Sequence, residues 1–185
     1  WQVDKVLYEF GFPMGPFQMR DMAGMDIGWD KAKSSSSSVR EIFCEMGRLG
    51  QKSGSGYYDY DADRNATPSP VAEKVILDFA AKKGIKRREV SDQEIVERCL
   101  YSMVNEGCKI LEERKASRAS DIDTVWITGY GWPAYRGGPM FWAELEGLDK
   151  VLKQLKTLHT EHGDDFTPAP LLVRLVAEGK SLKDV

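Results

Sequence analysis

The sequence predicts an all-α protein in which one helical unit occurs twice. Apolar residues recur at helical spacing along most of the 185 residues. No run of alternating β-branched residues predicts a strand of ordinary length. A short helix followed by a loop of aromatic, glycine and proline residues occurs in both halves. Hydrophobic residues make up 42% and charged residues 30%, a balance that allows a buried core.

Charge and composition exclude several classes of partner. The formal net charge is −3, without the basic excess of a nucleic-acid-binding protein, so we expect no nucleic acid partner. No apolar run approaches the ~20 residues that a membrane helix needs, so we expect no membrane span. Cys44, Cys99 and Cys108 are widely spaced and form no C-x-x-C pair, which indicates reduced thiols.

Three helices are predicted in the first half of the chain. Apolar stripes cover residues 3–10 and 39–46, and residues 16–23 form a second helix with Pro16 in its first turn. Residues 34–38 are five consecutive serines. This run predicts a flexible joint without core-forming content.

Local capping signals mark the later helices. Ser69 and Pro70 begin a helix that Gly84 ends. Ser91 and Glu94 have the spacing of a capping box, and the helix after them is predicted to run to about residue 117. Shorter helices are predicted for residues 120–126, 148–158 and 170–177.

Few residues carry recognisable chemistry. Residues 50–61, GQKSGSGYYDYD, predict a turn and a short extended segment, and they lack the third glycine of a dinucleotide fingerprint. His159 and His162 lack a nearby third ligand, so no metal site is predicted. Arg136 is either a clamp for a carboxylate or a structural pair. No catalytic triad or paired-carboxylate arrangement can be assembled.

The two halves align over four elements in the same order. Residues 3–6 (VDKV) align with 122–125 (IDTV), and FGFP at 10–13 aligns with YGWP at 130–133. The Gly-Pro steps at 15–16 and 138–139 follow, and the register then holds to Asp26 and Asp149. Four elements in order indicate a duplication. Each Gly-Pro loop is interpreted either as a structural corner or as a rigid wall of a ligand pocket.

The duplication also predicts a helix outside this sequence. The second copy is preceded by the long helix that begins near Ser91, whereas two residues precede the first copy. We therefore expect the equivalent helix to lie upstream of Trp1. Since the first residue is not methionine, we expect the chain to be a piece of a longer protein.

Three long segments resemble one enzyme family. GFPMGPFQMRDMAGMDIGWD (11–30), GRLGQKSGSGYYDYD (47–61) and DIDTVWITGYGWPAYRGGPMFWA (121–143) are similar to the C-terminal part of L-3-hydroxyacyl-CoA dehydrogenase. The tandem arrangement resembles the multifunctional fatty-acid β-oxidation enzymes, which join enoyl-CoA hydratase and dehydrogenase on one chain. The GYGWP and RGGPMF motifs are most similar to the peroxisomal-type bifunctional and bacterial forms.

The resemblance implies an architecture. It implies two tandem copies of the 6-phosphogluconate-dehydrogenase-C-terminal-like helical domain, packed as an intramolecular pseudo-dimer. The implied divisions are residues 1–62 for an N-terminally truncated first repeat, 63–90 for a linker and connecting helix, and 91–185 for the second repeat. The truncated edge is a candidate surface for oligomer formation.

The resemblance also implies a substrate and its contacts. Acyl-CoA would lie between this helical region and an NAD-binding domain. Pro13, Met14, Gly15, Pro16 and Phe17 are the implied substrate-binding residues. The family's catalytic His-Glu pair and its glycine fingerprint belong to the NAD domain, so we expect no catalytic, cofactor-binding or metal-binding residue in this sequence. The polypeptide alone is therefore expected to be inactive.

Location and function each keep an alternative. The sequence ends in Lys183-Asp184-Val185 and not in the Ser-Lys-Leu of peroxisomal members, which favours a bacterial cytoplasm, with the peroxisome as the alternative if the natural C-terminus is missing. The rival functions are a non-catalytic helical interaction module and the helical domain of another NAD-dependent dehydrogenase, such as the 6-phosphogluconate type. Loops rich in Met, Phe, Trp and Pro favour an acyl chain over a polar substrate.

Overall fold

The computed structural model describes residues 1–185 and confirms the all-α fold, with nine helices and one two-stranded sheet. The helices are α1 Gln2–Phe10, α2 Pro16–Ala23, α3 Val39–Glu45, α4 Pro70–Lys82, α5 Asp92–Glu112, α6 Ala119–Gly129, α7 Pro139–Glu146, α8 Leu148–His162 and α9 Pro170–Glu178. The strands are β1 Tyr58–Tyr60 and β2 Ala66–Pro68. None of the helices combines the length and the apolar character needed to cross a membrane.

The chain forms two compact units. The first comprises residues 1–8 and 14–89, and the second comprises residues 9–13 and 90–185. The first unit therefore contains α2, α3, α4 and the small sheet, and the second contains α5 to α9. Helix α1 contributes residues to both units, because its last two residues belong to the second.

The core of the first unit lies between α3, α4 and the loop after α2. Met25, Phe43, Cys44 and Ala72 are buried there, and Val75 of α4 packs against them. Helix α4 begins where the sequence predicts, with Ser69 as its capping residue and Pro70 in its first turn. This core fixes the loop that follows α3.

A buried arginine holds the small antiparallel sheet. Arg48 Nε and Nη2 donate to the Gly56 carbonyl at 3.0 and 2.7 Å. Its Nη2 also donates to Asp59 Oδ1 and Ser69 Oγ, each at 2.8 Å. In the sheet, Tyr58 pairs with Pro68 and Tyr60 with Ala66. A single guanidinium thus links the start of β1 to the start of α4.

The serine run is ordered around two carboxylates of α3, which differs from the flexible joint that we expected. Ser34 Oγ and Ser36 Oγ donate to Glu45 at 2.6 and 2.5 Å. The Ser37 amide donates to Glu41 at 2.7 Å. These hydrogen bonds hold the pKa of the Glu45 and Glu41 carboxyls below its usual range, the bonds from the serines being the leading cause. Low complexity in the sequence did not reveal these partners, because both lie downstream on a helix.

Helix α5 is the central element of the second unit. Its Leu100, Tyr101, Val104 and Cys108 are fully buried. Gly107 allows α7 to approach closely, since a β-carbon at this position would lie 2.4 Å from Met140 Sδ. Helices α6, α7, α8 and α9 all contact α5.

Helix α5 ends five residues earlier than predicted, at Glu112 rather than near residue 117. Arg114 has a left-handed backbone with φ of 56°, which ends the helical path. The Arg114 and Lys115 amides donate back to the Leu111 and Ile110 carbonyls. The polar residues after Leu111 offer no further apolar face, so the periodicity gave no stop signal of its own.

Candidate functional site

The first Gly-Pro step is held by a carboxylate from the preceding helix. Asp4 of α1 is buried, and its two oxygens accept the amides of Phe17 at 2.9 Å and Gln18 at 2.8 Å. These are first-turn amides of α2, which has no capping side chain of its own. A β-carbon on Gly15 would lie 2.2 Å from Asp4 Oδ1, so only glycine fits this position. Asp4 therefore fixes the direction in which α2 leaves the loop.

A second buried carboxylate ties α2 to the sheet. Asp21 accepts the amides of Tyr57 and Tyr58, both at 2.9 Å, and the Tyr60 hydroxyl at 3.0 Å. The Tyr58 hydroxyl in turn donates to Asp4 Oδ2 at 2.8 Å. Burial raises the pKa of the Asp21 carboxyl, and the two amides oppose that shift. Burial and the Asp4 carboxylate raise the pKa of the Tyr58 phenol, which therefore stays protonated as a donor.

The second unit has the same arrangement at the aligned positions. Asp123 of α6 accepts the amides of Met140 at 2.7 Å and Phe141 at 3.1 Å, in the first turn of α7. A β-carbon on Gly138 would lie 2.3 Å from the Asp123 side chain. Burial raises the pKa of the Asp123 carboxyl as it does for Asp21. At both Gly-Pro steps, a buried aspartate of the preceding helix thus accepts the first-turn amides of the following helix.

The helices after the two corners also end alike. Gly24 and Gly147 end α2 and α7 with φ of 107° and 90°. Glu144 of α7, which aligns with Asp21, accepts the Ser181 hydroxyl at 3.0 Å and the Leu182 amide. Helices α2 and α7 therefore each hold a later segment of their own unit through an acidic side chain.

Phe10, the last residue of α1, packs on aromatic side chains within the second unit. The Phe10 ring meets Trp132 at 5.4 Å and Trp142 at 5.6 Å between centroids. The Arg136 guanidinium lies 4.0 Å from the centroid of the Phe10 ring, and its Nε donates to the Phe10 carbonyl at 2.9 Å. The Tyr135 hydroxyl donates to the same carbonyl at 3.1 Å. Of its two interpretations, Arg136 thus fits the structural pair.

The five predicted substrate-binding residues differ in their accessibility. Pro13 belongs to the second unit and is exposed, next to Gly131. Met14 and Pro16 are half-buried, and Gly15 is buried against Asp4. Phe17 is half-buried, and its ring packs on the edge of Tyr57 with a centroid distance of 4.7 Å. The Phe17 side chain borders a cavity.

The cavity beside Phe17 lies within the first unit. Its volume is about 170 Å³. Aromatic side chains of Trp1, Phe17 and Tyr57 form part of its wall, and Ile76 and Leu77 of α4 form another part. Glu73 and Arg87 supply its charged groups. A planar or apolar group of modest size fits such a space.

The other polar candidates have structural partners. Lys52 pairs with Asp26 at 2.5 Å beside the glycine-rich turn. His159 Nδ1 lies 3.0 Å from the Gly163 carbonyl, and the His162 ring packs against Arg98 and Phe166. No group of three His, Cys, Asp or Glu residues is arranged to hold a metal ion.

Sequence reasoning missed the capping role of Asp4 and Asp123 and the link that Asp21 makes between α2 and the sheet. For Asp4 and Asp123, the available signal was an acidic residue in a short helix that is followed by a Gly-Pro step. It also missed residues 82–88, in which five of seven side chains are cationic. The net charge of the whole chain hides that local excess.

The family model described as "3-hydroxyacyl-CoA dehydrogenase, C-terminal domain" matches residues 1–60 and 95–184. The chain is 40% identical to a "Peroxisomal bifunctional enzyme" of Danio rerio, over 96% of this chain and 28% of that protein. It is 34% identical to the "Peroxisomal fatty acid beta-oxidation multifunctional protein AIM1" of Arabidopsis thaliana, over 100% of this chain and 27% of that protein. The chain thus spans little more than a quarter of these relatives.

Two solved structures share the fold. The "dehydrogenase part" of multifunctional enzyme 1 from C. elegans superposes with a TM-score of 0.72 at 30% identity, covering 94% of this chain and 41% of that one. A 3-hydroxybutyryl-CoA dehydrogenase from Escherichia coli gives a TM-score of 0.69 over 96% of this chain and 55% of that one. At 21% identity, the second comparison shows only that the fold is shared.

Proposed function

Because the chain belongs to the family of 3-hydroxyacyl-CoA dehydrogenase C-terminal domains, we propose that it is the helical, substrate-holding part of an NAD-dependent L-3-hydroxyacyl-CoA dehydrogenase. The parent enzyme acts in fatty-acid β-oxidation and also carries enoyl-CoA hydratase activity. The observation that carries the proposal is the 40% identity to a peroxisomal bifunctional enzyme along 96% of the chain. The rigid Gly-Pro corner at Gly15 supports it from the geometry.

The proposed division of the chain is a repeat, a connection and a second repeat. Residues 1–62 form the first repeat, 63–90 the linker and connecting helix, and 91–185 the second repeat. Family matches at 1–60 and 95–184 support this division, as do the matched contacts of Asp4 and Asp123. We propose that the two repeats pair as an intramolecular pseudo-dimer.

The proposed role of the chain in the reaction is to hold and orient the acyl-CoA. NAD, bound by a domain outside this chain, would supply the hydride acceptor for oxidation of the 3-hydroxyacyl-CoA to the 3-ketoacyl-CoA. Residues 13–17 form the proposed wall for the substrate. Asp4 keeps this wall rigid by fixing the first turn of α2, so little entropy is lost when a ligand binds.

The exposed side of α2 is the proposed edge for association. Met19 and Met22 are 52% and 56% exposed, whereas Trp142, which aligns with Met19, is 6% exposed beneath Tyr101 of α5. Two exposed methionines on one helix are an adaptable apolar surface. For location, we propose the peroxisome, our alternative from the sequence, because the named relatives are peroxisomal proteins. The bacterial cytoplasm has no support among them.

A chimera tests the proposed function. These 185 residues replace the equivalent segment in the dehydrogenase part of the C. elegans enzyme, and NADH formation from a 3-hydroxyacyl-CoA is measured. We expect turnover by the chimera and none by the 185-residue chain alone. Circular dichroism establishes that both proteins are folded. A folded chimera without turnover would favour the rival hypothesis of a helical interaction module. Turnover by the 185-residue chain alone would refute the assignment of catalysis to another domain.

A further inference from the structure

An exposed basic segment follows α4. Residues 82–88, KKGIKRR, contain Lys82, Lys83, Lys86, Arg87 and Arg88. Every residue of this basic segment is exposed. Five cations within seven residues contrast with the net charge of −3 for the whole chain. Such a local excess raises the concentration of anions at this surface.

Within the basic segment, Lys86 and Arg87 form no ion pair with an acidic side chain. Lys83 Nζ lies 5.5 Å from the centroid of the Phe79 ring, a contact that leaves its charge in solvent. The ion pairs that the first unit forms between side chains, such as Lys52–Asp26 and Lys74–Asp78, do not include Lys86 or Arg87. Both side chains therefore keep their donors for an incoming group.

Arg87 connects the basic segment to the aromatic cavity. Its side chain lines the same cavity of about 170 Å³ as Trp1, Phe17 and Tyr57. Phe17 is also one of the proposed substrate-binding residues. Glu73 is the acidic residue at this cavity, so the surrounding charge stays positive. An aromatic-walled space and a row of cations thus lie side by side within one unit.

A ligand that matches both features carries a planar ring and several phosphates. The guanidinium fork of arginine matches phosphate oxygens, and lysine adds point charges. Aromatic side chains stack on nucleobases without regard to base identity. We propose that the basic segment binds the nucleotide phosphates of coenzyme A and that the adjacent cavity takes its adenine ring. This inference rests on the proposed function, because acyl-CoA is the substrate there.

Binding to the 185-residue chain provides the first test. Calorimetric titrations use coenzyme A and, as a probe lacking one phosphate, dephospho-coenzyme A. The variant K86E/R87E reverses two charges of the basic segment. The matched variant K153E/K156E makes the same charge change on exposed lysines of α8 in the second unit.

The expected results separate local recognition from net charge. The wild type and K153E/K156E bind coenzyme A alike, and both bind dephospho-coenzyme A more weakly. K86E/R87E weakens coenzyme A binding by roughly tenfold or more, since each lost contact of unit charges near the surface changes the affinity several-fold. Binding of the wild type falls as salt rises.

Three results would overturn the inference. The first is no saturable binding of coenzyme A to the wild type. The second is equal affinity of the two charge-reversal variants. The third is binding of phosphatidylserine vesicles or of a short RNA with the same dependence on Lys86 and Arg87, without binding of coenzyme A, which would assign the segment to those polyanions.

The chimera distinguishes a failure of this inference from a failure of the proposed function. In an active chimera, K86E/R87E is expected to raise KM for a 3-hydroxyacyl-CoA and to leave KM for the corresponding pantetheine thioester, which lacks the nucleotide, unchanged. Turnover with an unchanged KM for both substrates would reject this inference alone. A folded chimera without turnover, together with coenzyme A binding by the chain, would reject the proposed function.

Discussion

Replacing Asp4 by alanine is expected to destabilise the first unit strongly, because one side chain serves three donors. The change removes the acceptors of the Phe17 and Gln18 amides and of the Tyr58 hydroxyl. Loss of a helix cap costs about 1 kcal/mol. A buried hydroxyl left without its partner costs about 1–3 kcal/mol. The free energy of unfolding should therefore fall by roughly 2–4 kcal/mol.

The assay is urea unfolding combined with amide hydrogen exchange. Asp4→Ala should lower the unfolding midpoint and speed the exchange of the Phe17 and Gln18 amides in the native protein. The matched control is Asp78→Ala, which removes an exposed carboxylate paired with Lys74 and should not lower the midpoint. Unchanged exchange at both amides in Asp4→Ala would refute the capping role, whatever the midpoint shows.

Three further changes test other parts of the structure. In thermal melts, Gly15→Ala should lower the stability by about 2 kcal/mol or more, because its β-carbon overlaps the Asp4 carboxylate. The control Gly129→Ala, with open space around its β-carbon, should be neutral or slightly stabilising. Arg136→Ala should cost about 1–2 kcal/mol in urea by removing the stacking on Phe10 and one hydrogen bond to its carbonyl, and an unchanged midpoint would contradict it. Burial raises the pKa of the Asp21 carboxyl above its ordinary 3.8, so the folded protein binds this proton more tightly than the unfolded chain. The stability of the wild type relative to Asp21→Asn, measured by urea unfolding, should therefore fall as the pH rises above 3.8, and a rise would show the opposite sign of the shift.

Local signals in the sequence were sufficient for most helix starts. Pro16, the Ser69-Pro70 pair and Ser91 each begin a helix where capping chemistry predicts one. Ser69 and Ser91 accept amides in the first turn of their own helices, so neighbouring positions contain the information for those two starts. The all-α class followed from the same periodicity and is confirmed.

Interactions between distant segments could not be read in the same way. The partner of Asp4 is thirteen residues away in Phe17 and 54 away in Tyr58. The serine run has its partners in Glu41 and Glu45, which looked like ordinary surface residues of a helix. The composition of residues 34–38 therefore predicted a flexible joint, although the carboxylates of Glu41 and Glu45 hold them in place. The five substrate-binding residues came from the family resemblance and stay a prediction.

The first turn of α2 depends on Asp4, which lies in α1. This dependence affects how the Gly-Pro loop between the two helices forms. A helix of eight residues is marginal in water when isolated, and this one has no capping side chain of its own. A synthetic peptide of residues 11–23 would therefore not keep the helical conformation that these residues have in the protein. We therefore expect the first turn of α2 to become stable during folding only once Asp4 of α1 lies against it.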